Sequence, residues 1–201
     1  MRFISKRSHN FDLVIFMEAV LYLISIICII YFSSKGVKLK VLEPVMIIAL
    51  VSFIKITMKK LQVNKVIIGL IYIFIFISMI FANEFDFYSK VPKLDKIEHL
   101  LSGVILFYIG DSIFNYIVMK QDTTFENKIA VIMFSFFFAG AAAGFWEIFE
   151  FSSDTLLGFN SQNGSLFDTM TDIIYGTLGA MLSGFYSYFK LKNKIKQTSI
   201  S

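Results

Sequence analysis

Six stretches of the chain stay apolar for close to the roughly 20 residues that a helix needs to cross about 30 Å of hydrocarbon, and this repetition constrains the fold more than any other feature. They lie near residues 11–32, 41–58, 66–82, 97–119, 129–149 and 173–189. Composition agrees: of 201 residues, 56% are hydrophobic, 17% aromatic and only 17% charged, the balance of a membrane protein. The sequence therefore predicts an all-α integral membrane protein, a six-helix transmembrane bundle. The connections are short, so residues 1–201 are expected to form a single membrane domain with no soluble domain. The first stretch follows the basic segment MRFISKR, as the core of a signal peptide would, but it is about twice as long as such a core and lacks a small-x-small cleavage pattern. It is expected to stay as a helix. Cys28 is the single cysteine, which excludes an intramolecular disulfide.

The net charge of +4 does not point to nucleic acid, because the basic residues gather at the ends of the apolar stretches, where they set orientation. Arg2, Lys6 and Arg7 precede the first stretch, and Lys190, Lys192, Lys194 and Lys196 follow the last. The connection FSSDTLLGFNSQNGSLFDT, residues 151–169, has no lysine or arginine and should face outward. Both termini are then cytoplasmic, and the expected location is a bacterial-type plasma membrane, crossed several times, with the lipid bilayer as the surrounding partner.

This topology brings three acidic helix ends to the outer face. LDKIEHLLSG opens the fourth helix with Asp95 and His99, WEIFEFSSD closes the fifth with Glu147, Glu150 and Asp154, and FDTMTD opens the sixth with Asp168 and Asp172. Spacings of three, four and seven put each set on one helical face. Small residues continue those faces: Ser102, Gly103 and Gly110 below His99, Gly140, Ala143 and Gly144 below Glu147, Gly179 and Ser183 below Asp172. Such stripes let helix backbones approach closely, so the carboxylates and the imidazole are expected to point at one another.

A carboxylate at a helix end can also sit in headgroup water at little cost, and Glu84, Asp86 and Glu98 suit that role best. For the rest, both arginines lie at the N-terminus, so the outer face has no guanidinium clamp for an anion. Gathered carboxylates need either raised pKa values or a bound cation. Oxygen ligands with one imidazole suit Mg²⁺, Mn²⁺, Zn²⁺ or Fe²⁺. The candidate metal ligands are Asp95, His99, Glu147, Asp168, Asp172 and Glu150, and Glu147, Glu150 and His99 are the candidate catalytic groups, one glutamate acting as general base on a bound water. HExxH, GxSxG, Walker and CxxC patterns are absent from the sequence.

Two further features bear on function. Glu18, Lys55 and Asp111 fall deeper, toward the cytoplasmic third, where Lys55 is placed to pair with either acid. The loop 151–169 is long enough to fold back as a lid, with Gly158, Asn163 and Gly164 as turn positions. Trp146, Phe149, Phe151 and Phe167, with Phe85, Phe87 and Tyr88, form an aromatic belt at headgroup level.

The segments LDKIEHLLSGVILF, GFWEIFEF and QNGSLFDTMTDIIYGTLGA resemble the YjdF-like bacterial membrane proteins, a family of unknown function with six expected spans. More distantly the same skeleton is similar to the VanZ-like proteins, some of which are associated with teicoplanin resistance. The shared positions are Asp95, Lys96, His99, Glu147, Glu150, Asp168, Asp172 and Gly179, within roughly Pro92 to Gly184. Two readings stand side by side: a divalent-cation site serving hydrolysis or transfer on a lipid-like or cell-envelope substrate, or a non-enzymatic structural, proton-sensing or cation-conducting network.

Overall fold

The computed structural model describes residues 9–84, 90–91, 93–118, 125–158, 161–162 and 165–198. Among them the chain is helical, with no strand. Six helices follow in order: α1 His9–Ser34, α2 Lys38–Lys60, α3 Lys65–Ile75 with a π-helical continuation Phe76–Glu84, α4 Leu94–Val118, α5 Phe125–Leu157 and α6 Leu166–Thr198. The chain divides into two compact units, Met1–Pro92 and Lys93–Ser201.

Four helical segments are long and apolar enough to cross a membrane: Leu13–Ser34, Lys40–Lys60, Leu94–Val118 and Lys128–Leu157. The third expected span is shorter, an apolar helix over Lys65–Phe81. The sixth is long but not among these four, because glycine, serine, threonine and tyrosine replace large aliphatic residues along it. Those small residues are what its packing requires.

In the first unit, α1 packs on α2 and α3 through Leu21, Ile47, Val51, Tyr72 and Ile75, all buried. Asn64 caps α3, its side-chain oxygen accepting from the Val66 N–H at 2.9 Å. Two polar links join α1 to α2: Tyr22 and Ser52 hydroxyls lie 2.9 Å apart, and Lys55 Nζ donates to Glu18 Oε1 at 2.5 Å. Glu18 is thus the partner of Lys55 within this unit; in the second unit Asp111 accepts from Asn115 Nδ2 on its own helix at 3.3 Å.

In the second unit each of α4, α5 and α6 packs on the other two around Phe107, Ala139 and Ala180. The α4–α6 contact is backbone on backbone. A Cβ on Gly103 would collide with the Gly176 carbonyl oxygen, and a Cβ on Gly179 with that of Leu100. On α5 Ala143 and Ser135 are both tight: the Ala143 Cβ would lie 3.0 Å from one placed on Gly176, and the Ser135 Cα 3.0 Å from one placed on Gly110. The expected seam through Gly140 and Gly144 is different: a Cβ on Gly144 would meet open space. Outward faces carry large apolar side chains, among them Phe137, Phe145 and Leu182, a surface unsuited to water.

Gly103→Ala and Gly179→Ala should each lower stability by about 1–3 kcal/mol, the usual cost of overpacking, read as a drop in thermal unfolding temperature in detergent. Gly144→Ala, with free space for its methyl, should leave it unchanged or raise it by up to about 1 kcal/mol.

Candidate functional site

Close approach of α4 and α6 sets their first turns side by side, and their charges then meet. Lys96 is the centre. Its ammonium donates to Asp172 Oδ1 at 2.7 Å, to Asp168 Oδ1 at 2.5 Å and to Asp95 Oδ2 at 3.0 Å. The Lys96 side chain is only 16% exposed and that of Asp172 only 4%, so this is a shielded ion cluster. Three residues on, and so on the same helical face, His99 brings Nε2 to 3.3 Å from Asp95 Oδ1, 3.7 Å from Asp172 Oδ1 and 4.0 Å from Glu147 Oε1.

Glu147 arrives from α5, and the way that helix ends fixes it. Gly158, at φ 73°, takes the left-handed conformation that stops a helix. Asp154 then turns the chain back, its two oxygens accepting from the backbone N–H groups of Ser161 and Gln162 at 2.8 and 2.9 Å. Gln162 thereby reaches Glu147, and its amide nitrogen donates to Oε2 at 3.3 Å and to the Glu147 carbonyl at 3.1 Å. The other carboxylate oxygen, Oε1, is buried without a hydrogen-bond partner and lies on the His99 side.

The start of α6 is fixed in a comparable way. Ser165 accepts from the Asp168 N–H at 3.3 Å, an N-terminal cap that leaves the Asp168 carboxylate free to turn to Lys96. Burial pushes the Asp172 carboxyl, just ahead of the apolar stretch of α6, above the usual carboxylate range, while the Lys96 ammonium pulls it back.

Of the residues singled out in the sequence, Asp95, His99, Glu147, Asp168 and Asp172 come together. Glu150 goes elsewhere: its Oε1 accepts from the Trp146 indole N–H at 2.8 Å, and no ion pair joins it to Lys96 or His99. Asp154 is a loop anchor. Glu98, expected in headgroup water, is buried, while Asp86, Phe85, Phe87 and Tyr88 lie outside the described residues. The connection expected over 151–169 narrows to residues 158–165, because α5 runs through Leu157 and α6 begins at Leu166. Within it, Gln162 folds back onto Glu147.

Two partners carry more than the sequence assigns them. Lys96 enters there only as a basic residue at a helix end and as a shared position of the family resemblance, yet its spacing of three from His99 puts it on the same face. Gln162 had no signal beyond its place in a turn.

With four carboxylates (Asp95, Glu147, Asp168 and Asp172) facing one ammonium and one imidazole, the charges sum to −4 + 1 = −3 with His99 neutral, or −2 with it protonated. One oxygen each from Asp95 and Asp172, with a His99 ring nitrogen, lie within 4.8 Å of one another, a spread that a metal ion can bridge. Glu147 Oε1, buried without a hydrogen-bond partner, lies beside this group at 4.0 Å from His99 Nε2. Asp95, His99 and Asp172 are thus the residues that could hold a metal ion.

A helical protein with several apolar, membrane-length helices and a charged cluster is what these features define. The chain belongs to the family described as "Predicted membrane protein (DUF2238)", which it matches over residues 13–193. It is similar to an uncharacterized protein of Thermotoga maritima, 31% identical over 107 residues that make up 52% of this chain and 53% of that protein. No solved structure matches it.

Removing the ammonium alone tests its place in the cluster. Lys96→Met should cost about 3–5 kcal/mol, as expected when one partner of a buried ion pair is lost. The double variant Lys96→Met with Asp172→Asn should be more stable than Lys96→Met alone, a coupling that a double-mutant cycle of thermal or denaturant unfolding reads directly.

Proposed function

We propose that this protein is a multi-pass protein of the bacterial plasma membrane that binds one divalent cation through Asp95, His99, Glu147 and Asp172. The observation that carries the reading is the buried, unpartnered Glu147 Oε1 beside the His99 imidazole and the Asp95 and Asp172 carboxylates. Leaving such an oxygen unpaired costs free energy, and an ion in the shared space would supply the missing partner. Lys96 offsets part of the negative charge and holds Asp168 and Asp172 against α4. Asp168 is then a support of the site, and Glu150 a neighbour anchored on Trp146. When bound, such an ion supplies Lewis-acid activation of water or of a substrate oxygen. The chain's resemblance to YjdF-like proteins, and more remotely to VanZ-like ones, agrees with work at the cell envelope, and a lipid-like or envelope substrate is the class we assign to it.

A second reading has its own observation. Lys96 alone makes three short bonds to carboxylates, and an ion cluster of this kind can serve as a non-enzymatic network that locks α4 to α6. It needs no metal.

Elemental mass spectrometry of the purified protein separates the two. The cation reading expects about one divalent ion per chain, retained through dialysis and reduced at least about tenfold in Glu147→Gln and in Asp172→Asn. Metal at background level in the native protein, after dialysis against Mg²⁺, Mn²⁺ and Zn²⁺ in turn, would leave the network reading in its place.

A further inference from the structure

A groove of about 950 Å³ runs between α5 and α6, the size of sites that enclose a small organic ligand. One part is apolar, walled by Phe145, Ile148 and Ile173 and widened by Gly144, beside which no side chain stands. The other is polar, with Thr155, Gln162, Ser165 and Thr169 around the α5–α6 connection and Glu147 where the two parts meet. Ala141 and Thr155, both on its wall, are fourteen residues apart, about 21 Å along a helix. That exceeds the roughly 15 Å of hydrocarbon in one bilayer leaflet.

The groove's apolar part, from Ala141 to Ile148, takes up about 10 Å of that length and, in a helix apolar enough to cross a membrane, suits the part of an alkyl chain nearest the head. The head is constrained by charge. Glu147 and Asp154 line the groove, and no lysine or arginine does. With no metal bound, an anionic head would meet these carboxylates without an offsetting charge on the groove wall. The three hydroxyls suit a head that both donates and accepts hydrogen bonds.

We propose that this groove binds one alkyl chain of a bilayer lipid whose head is uncharged and bears hydroxyl groups, with that head at the Glu147 end. This rests on reading α5 as a membrane span. The groove itself needs no cation, so the test is run in EDTA and survives failure of the metal reading.

The full-length protein is reconstituted in phosphatidylcholine nanodiscs with a diacylglycerol carrying a diazirine on its acyl chain. A parallel sample holds phosphatidic acid with the same chains. After illumination, labelled residues are mapped by mass spectrometry. Ile148 and Ile173 should be labelled about tenfold more by the diacylglycerol, a difference equivalent to about 1.4 kcal/mol. Gly144→Leu, which fills the open space, should abolish that labelling and leave labelling of the exposed Phe137 intact. Thr155→Val, which keeps the shape, should reduce the preference between the two probes. Equal labelling by both probes, groove labelling unchanged in Gly144→Leu, or label on Phe137 with none in the groove would each overturn the proposal. Absence of label from Phe137 as well would overturn the membrane reading beneath it.

Discussion

The second unit depends on how closely the backbones of α4 and α6 approach at Gly103 and Gly179. At both positions the neighbouring helix presents a carbonyl oxygen where any other residue would place its Cβ. This contact decides what lies above it. One to three turns toward the helix starts it brings Lys96 within bonding distance of Asp168 and Asp172, and His99 within reach of Asp95 and Asp172. In hydrocarbon, where apolar burial does little to hold helices together, small residues and polar contacts take over that role. Both occur on the same pair of helices.

The charge in the cluster is offset by a lysine where an arginine would be less apt. An ammonium is a compact point charge with three donors, and Lys96 uses them on three carboxylates arriving from two helices. Its positive charge does not balance the set, and the deficit falls on the α5 side, where Glu147 Oε1 has no partner. Gln162 holds the other oxygen of that carboxylate, so the free one stays directed at the His99 side. Positioning of the least satisfied group thus traces back to Gly158 and Asp154, which end α5 and turn the chain.

Much of this was legible in the sequence. Apolar stretches of spanning length gave the helices, and helical spacing put Asp95, His99, Glu147, Asp168 and Asp172 on faces that do converge. The stripes through Gly103 and Gly179 were read correctly, and that of Gly140, Ala143 and Gly144 holds at Ala143, which packs on Gly176, but not at Gly144, because a small residue permits close packing without requiring it. Gly144 instead leaves room for a groove. Glu150 carried the same spacing signal as Glu147; rotation of about 300° over three residues and a nearby indole N–H sent it to Trp146. Lys96 was misjudged because one lysine can serve both as a topology signal and as a buried partner, and composition does not separate the two. The loop was overestimated since Ser152, Ser153 and Asp154 look like turn residues while α5 continues through them.

The central claim is that the space between His99, Asp95, Asp172 and Glu147 is a cation site, and Mn²⁺ is a probe with a spectroscopic signature for its ligands. The measurement is pulsed electron paramagnetic resonance of the detergent-purified protein loaded with about one equivalent of Mn²⁺. The account predicts nitrogen modulation from one imidazole on the bound ion, lost in His99→Gln. A spectrum of aqueous Mn²⁺ alone, identical in the native protein and in His99→Gln, would contradict it.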